Sequence, residues 1–275
     1  MKNLKKYVRT GTPFAVTLLI VLMLIVSTGF NIHNLSDEIK YCGYGDEIGE
    51  SETIIYSKKE IVEYSIKEKV PAYTSQNSVS NCANIAGAIL VGYYDRFCEN
   101  LIPNYQSYIK LGSIITYKGI SSASEQVVEY LYKMMGTDVG VAGTTVSGFQ
   151  AGMNTYVNDH NYTYKASYLG AYNYNEYINS INSNKPIAVF LNDYSLVDNF
   201  QDNGESETIN SSHSFVAHVV ICYGYAEINY YNSNNGFITQ RRYLLVSSGL
   251  TQIGLCHLCL DGKSTINESI SIVIE

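Results

Sequence analysis

Two residue types that pair well in nucleophilic catalysis occur in suggestive settings in this chain. The first is Cys82, at the end of Gln76-Asn77-Ser78-Val79-Ser80-Asn81-Cys82 and directly before a helical apolar pattern. At a helix N-terminus, unsatisfied N–H groups and the macrodipole favour an anion, which should lower the thiol pKa and make thiolate more available. Gln76, six residues upstream, could supply a side-chain N–H to an oxyanion hole, with the Cys82 backbone N–H as the other donor. The second is His218, which opens the β-branched run His218-Val219-Val220-Ile221-Cys222 as a base at a sheet edge would. Each has a plainer reading: a buried inert thiol, and a structural or surface histidine.

Other candidates are weaker. His213 lies five residues before His218, in the serine-rich Ser211-Ser212-His213-Ser214, and is the competing base. Cys256-His257-Leu258-Cys259 supplies only one of the two knuckles a zinc site usually needs. In a strand its two cysteines would face opposite ways, so buried thiols or a disulfide fit better. His160 reads as a surface turn, and Asn161-Tyr162-Thr163 as a short, frequent glycosylation pattern. Asp198, Asp202, Glu205 and Glu207 lack a calcium-loop pattern and read as an exposed acidic loop. No metal or cofactor is expected.

The elements that must position Cys82 and His218 follow from periodicity. Helices are expected over Ala83–Phe97 (capped by Asn81 or Ser80), Ser124–Met135 (closed by Gly136), Thr145–Asp159 and Asn175–Ser183. A strand is expected at Ile187–Asn192. A polar loop over Asp198–Ser212 is followed by strands at Phe215–Tyr225, Arg242–Val246, Gln252–Cys259 and Ser269–Ile274. Residues 52–74 suggest one or two further strands. Helices first and strands later predict an α+β domain with an antiparallel sheet.

Several pieces together resemble the papain superfamily of cysteine peptidases, in particular the C39-like type of bacterial exported proteins. They are Val70-Pro71-Ala72-Tyr73 leading into Gln76-x5-Cys82, then Gly92-Tyr93-Tyr94-Asp95-Arg96, then His218 to Tyr225, then Tyr243-Leu244-Leu245-Val246-Ser247-Ser248-Gly249. His218 follows Cys82 by 136 positions, inside the window of about 130–150 in papain-like enzymes. The resemblance implies an α+β, papain-like cysteine peptidase fold, with an N-terminal helical subdomain carrying Cys82 and a C-terminal antiparallel sheet carrying His218. It implies hydrolysis of a peptide or protein substrate through a thiolate–imidazolium pair, with Gln76 in the oxyanion hole. The same pair would also serve an acyl transferase or amidase.

Two departures matter. Ala83-Asn84-Ile85-Ala86 follows the cysteine, where relatives carry Gly or Ser and then a Pro-Thr-Ala-like stretch. The third, orienting residue is ordinarily Asp or Asn, and the matching place holds Ser247-Ser248-Gly249-Leu250. Ser248 is the residue expected there, its uncharged hydroxyl stabilising an imidazolium less than a carboxylate would. Asn192 or Asp193 are spatial alternatives. Reduced activity, or a degenerate peptide-binding relative, follows.

Length and composition frame this reading. The 275 residues are 46% hydrophobic and 16% charged, which excludes a disordered chain. A formal charge of −7 without a basic stripe excludes an ordinary nucleic-acid binder. Lys2, Lys5, Lys6 and Arg9 precede an apolar run from Phe14 to Val26 and then Ser27-Thr28-Gly29, the layout of a secretory signal. Extended to Phe30, that run also sits at the lower limit for a membrane anchor through residues 14–30. The chain then divides into a signal peptide or anchor (1–30), a linker or prosegment with strands (31–69), and the peptidase domain (70–275). That domain would be secreted, or held at the cell membrane facing outside. Removing residues 1–29 takes away four basic and no acidic residues and moves the charge from −7 to −11.

Overall fold

A computed structural model of the chain describes residues 41, 47–66, 69–74, 80–140, 142–251 and 253–275. Four helices and eleven strands lie among them. The helices are α1 (Cys82–Tyr94), α2 (Ser122–Met134), α3 (Val146–Asp159) and α4 (Tyr174–Asn182). Two strands, β1 (Glu47–Ile55) and β2 (Lys58–Ser65), precede α1, and the short hairpin β3 (Tyr108–Leu111) and β4 (Ile114–Tyr117) follows it. β5 (Tyr164–Tyr168) lies between α3 and α4. Then come β6 (Ile187–Asp202), β7 (Ser206–Ser214), β8 (His218–Tyr231), β9 (Phe237–Ser247), β10 (Leu255–Cys259) and β11 (Thr265–Ile274).

Nine of these strands form one antiparallel sheet, with β11 paired to β6, and β5 to β11, beside the path β1-β7-β6-β10-β9-β8-β2. The sixteen-residue β6 organises it. Its first part pairs with β8, Leu191 opposite His218, and with β11. Its later part pairs with β7 and β10. Since β8 also pairs with β9, and β9 with β10, four strands close a circuit through β6.

This corrects the papain-like expectation of a helical subdomain followed by a separate sheet. A single large sheet dominates, and it recruits chain from before the helices: β1 pairs with β7 and β2 with β8, not with each other. The polar loop expected over Asp198–Ser212 is instead the end of β6 and most of β7. Its polarity misleads because its inward groups are paired. Glu207, only 3% exposed, accepts hydrogen bonds from Tyr230 and from Lys59 Nζ (3.0 Å), and Asp202 accepts from Tyr56 and pairs with Lys59. These contacts hold the Asp202 carboxyl down at about 2, Lys59 acting first and Tyr56 second.

α1 is buried at every position, as its near-continuous apolar sequence requires. It packs on β8 on one side and on α2 and α3 on the other. A side chain at Gly87 would come within 2.8 Å of Leu131 and 3.0 Å of Met135 and Met153, so glycine sets the α1–α2–α3 spacing. α2 starts at a capping box, Ser121 and Ser124 exchanging side-chain and backbone bonds. Among the described residues no helix is long and apolar enough to cross a membrane. The apolar run at 14–30 lies outside them.

Candidate functional site

Cys82 is the first residue of α1 and His218 the first residue of β8, two elements that pack together. The start of α1 is held by a polar chain. Asn84, fully buried, donates from Nδ2 to Asn81 Oδ1 (2.8 Å) and accepts at Oδ1 from Thr137 Oγ1 (2.9 Å). The Asn81 carbonyl receives the Ile85 N–H at 2.9 Å. The sequence therefore departs from a simple side-chain cap: Asn81 serves as a bracket for Asn84. The Cys82 sulfur is a buried thiol, 6% exposed.

His218 is 1% exposed. Its Nε2 lies 2.8 Å from the backbone carbonyl oxygen of Ser248. A carbonyl only accepts, so Nε2 carries the proton. Burial lowers the ring pKa to about 4, with the Ser248 bond opposing the shift, so the ring is neutral at pH 7 and Nδ1 bears a lone pair. Nδ1 is buried and has no hydrogen-bond partner among the described residues.

Tyr194 links the two halves. Its ring lies 4.9 Å from the His218 ring at an interplanar angle of 38°. Burial raises its hydroxyl pKa; Ser214, opposite it across β6 and β7, opposes that, while Glu47, Cys82 and Cys256 add to it. The Cys82 sulfur is thus within electrostatic reach of a hydroxyl whose ring covers His218. Periodicity could not single out Tyr194: it is one of 26 tyrosines, and only the register of β6 against β7 and β8 brings it here.

The Ser248 turn is closely built. Ser248 N–H donates to Gly254 O (2.8 Å), and its hydroxyl donates to Ile253 O and accepts from Leu250 N (3.1 Å). Ser247 Oγ donates to Pro71 O at 2.9 Å. Gly249 takes φ +74°, and a Cβ there would lie 3.3 Å from Ile85 Cγ2, so the turn rests on the first turn of α1. The carbonyl of Ser248, not the expected hydroxyl, meets the imidazole. Gln76 lies outside the described residues.

The remaining candidates are used elsewhere. Asp193 Oδ1 accepts from Thr265 N (3.0 Å), while Asn192 Oδ1 is buried without a hydrogen-bond partner among the described residues. His213 sits on β7 with its ring 4.4 Å from Phe215. His257 lies between Phe200 and Tyr243, and His160 closes α3 through Tyr156 O at 2.7 Å. Cys98, Cys222, Cys256 and Cys259 are unbridged buried thiols, and burial pushes the last three up to about 12. Among the described residues no three His, Cys, Asp or Glu side chains are grouped to hold a metal ion.

Two cavities bear on chemistry. One of about 280 Å³ is lined by Glu50, Glu52, Arg241, Tyr243, Asp261 and Lys263 with their neighbours. Four of its charges form the pairs Glu50–Lys263 and Glu52–Arg241, Asp261 accepts from the Arg242 N–H (2.8 Å), and none of Cys82, His218 and Ser248 lines it. A smaller one of about 170 Å³ borders Asn81, beside Cys82. No protein-family model matches the sequence, and no curated protein aligns with it significantly.

Proposed function

We propose that the chain is a cysteine peptidase, with Cys82 as nucleophile and His218 as general base and acid. The observation that carries this reading is the tautomer of His218: Nε2–H is spent on the Ser248 carbonyl, leaving a buried Nδ1 lone pair without a hydrogen-bond partner among the described residues, at the start of a strand that packs on the helix beginning with Cys82. The imidazole rests neutral. Nδ1 takes the thiol proton as the sulfur attacks the scissile carbonyl, which makes the thiolate–imidazolium pair a product of the step. The oxyanion would be held by N–H groups at the start of α1 and by Gln76. Nδ1–H then protonates the leaving amine, and the C–N bond breaks to leave a thioester. Water attacks it, giving its proton to Nδ1, and the acid leaves as the thiol is restored. The basic and then apolar start of the chain supports export of this activity.

A second reading, peptide binding without hydrolysis, is favoured by the uncharged carbonyl that stands where a carboxylate would steady an imidazolium.

Peptide cleavage and alkylation by a peptidyl epoxide, read by intact mass, test the proposal. Both are expected in the native chain and lost in Cys82→Ala, with cleavage also lost in His218→Ala. Cleavage that survives Cys82→Ala would overturn it. Saturable peptide binding without cleavage would favour the second reading.

A further inference from the structure

We propose that the β3–β4 hairpin docks the protein on the surface of an anionic lipid bilayer, its apolar tip entering the headgroup region. Leu111 and Ile114 flank a two-residue turn, Gly112-Ser113, with Gly112 at φ +62°, a turn type that puts glycine first. The register sets Ile109 opposite Thr116 and Leu111 opposite Ile114. These four therefore share one face of the ribbon, and Lys110 lies on the other. Ile109 is exposed, and Leu111 and Ile114 are 72% and 66% exposed. Beyond the pairing of its two strands, the other described helices and strands pack little on the hairpin. A lone two-stranded hairpin is marginal in water, yet this one is held at its base. Lys118 N–H donates to Ser107 O (2.8 Å), Ser107 Oγ to Gly92 O (2.6 Å), and the Tyr117 hydroxyl to Tyr93 O (3.2 Å). The base is fixed on the last turn of α1 while the apolar tip is left in solvent, which marks a docking surface.

Charge selects the partner. Residues 96–118 carry three cations, Arg96, Lys110 and Lys118, against one anion, Glu99, in a chain whose formal charge is −7. The adjoining Asp95 is buried and accepts from the Ile102 and Ser107 N–H groups. Phe97 extends the exposed apolar surface from the base. Its ring lies 5.6 Å from that of Tyr93, which is 6.3 Å from that of Tyr117, and Arg96 Cζ is 4.1 Å from the Phe97 centroid. Exposed apolar side chains rimmed by cations match a bilayer interface with negative headgroups, where lysine and arginine stems lie against acyl chains and their heads meet phosphate. The acidic remainder of the chain opposes this only weakly. A four-residue strand carries the tip about 13 Å from its base, beyond the screening length of about 8 Å at physiological salt. The export proposed above brings the domain to such a surface.

The chain has no tryptophan, so Leu111→Trp, at an exposed site, gives the full chain a single reporter at the tip. With vesicles of phosphatidylcholine and phosphatidylglycerol, its emission is expected to move to shorter wavelength and to be quenched by bromine carried on the acyl chains. Vesicles of phosphatidylcholine alone, or Lys110→Glu in the same background, should cut that quenching several-fold. Ile55→Trp, at an exposed site on β1, should show neither change. No shift and no quenching in Leu111→Trp, or equal quenching in Ile55→Trp, would overturn the proposal. Quenching as strong in phosphatidylcholine alone would overturn the choice of an anionic surface. A shift that needs no lipid and grows with protein concentration would assign the tip to a second copy of this chain, and overturns the bilayer. None of these readouts depends on Cys82 being a nucleophile.

Discussion

His218 Nε2 and the carbonyl oxygen of Ser248 lie 2.8 Å apart, a contact between a strand start and a turn thirty residues further on. Because the acceptor is backbone, the side chain at 248 is free to vary without removing it. Ser248→Ala should leave the Nε2–H tautomer in place, as read from the ¹⁵N shifts of His218, and lower kcat only a few-fold. It does take away the hydroxyl's bonds to Ile253 O and from Leu250 N, costing roughly 1–2 kcal/mol of stability. A loss of kcat of about a hundredfold or more would mean that the hydroxyl, rather than the carbonyl, orients the ring.

Moving that carbonyl should matter more. Gly249→Ala places a Cβ at φ +74° and 3.3 Å from Ile85 Cγ2. The expected result is a loss of about 1–2 kcal/mol, together with a kcat deficit larger than that of Ser248→Ala. Chemical denaturation and steady-state kinetics on the two variants decide the order.

The buried ring gives a signed pH dependence. Its pKa falls to about 4 in the folded chain, from an unfolded value of about 6.5. Below pH 6.5 the unfolded chain takes up a proton that the folded chain refuses, so stability drops as pH falls towards 4 and levels off beneath it. The span of some 2.5 units corresponds to roughly 3 kcal/mol. Denaturant titrations should show this slope, and His218→Asn should lack it. The acid limb of kcat/KM should lie near pH 4, where the base loses its lone pair; a limb near 6.5 would contradict a desolvated ring.

Tyr194 should separate packing from hydroxyl chemistry. Tyr194→Phe keeps the ring over His218 and is expected to leave its pKa low. Tyr194→Ala opens a cavity costing about 3–5 kcal/mol, admits water, and should raise the His218 pKa towards its ordinary value. NMR titration of the His218 ring in both variants checks this; a pKa unmoved in Tyr194→Ala would show that other groups exclude the water.

Lys59→Met should cost about 2–4 kcal/mol, since it leaves the buried Glu207 carboxylate without its ammonium. Adding Glu207→Gln should recover part of that loss in a double-mutant cycle measured by denaturation.

How far the sequence discloses this molecule differs by layer. The four helices lie close to where apolar spacing places them, because each buries a stripe or, in α1, its whole circumference. The strands with continuous apolar runs, such as the starts of β6 and β8, are equally visible. The end of β6 and β7 are not, because the buried Glu207 is satisfied by Lys59 and Tyr230 on other strands, and Asp202 is paired with Lys59 and Tyr56. Cys82, His218 and Ser248 stand out by residue type and local pattern. The role of the Ser248 carbonyl does not, since every residue owns one and only the turn at Gly249 aims it. Tyr194 is hidden for the same reason, its place being fixed by strand register.

The dual partnership of β6 has a mechanical corollary. A strand bonded along its first part to the histidine-bearing β8, and along its later part to β7 and β10, stitches the sheet into one continuous fabric. Among the described residues, no break in these pairings divides the sheet into two lobes that could swing like jaws. A peptide reaching Cys82 would therefore be admitted by small local yielding, of turns and side chains around the first turn of α1, while the backbone framework beneath stays put.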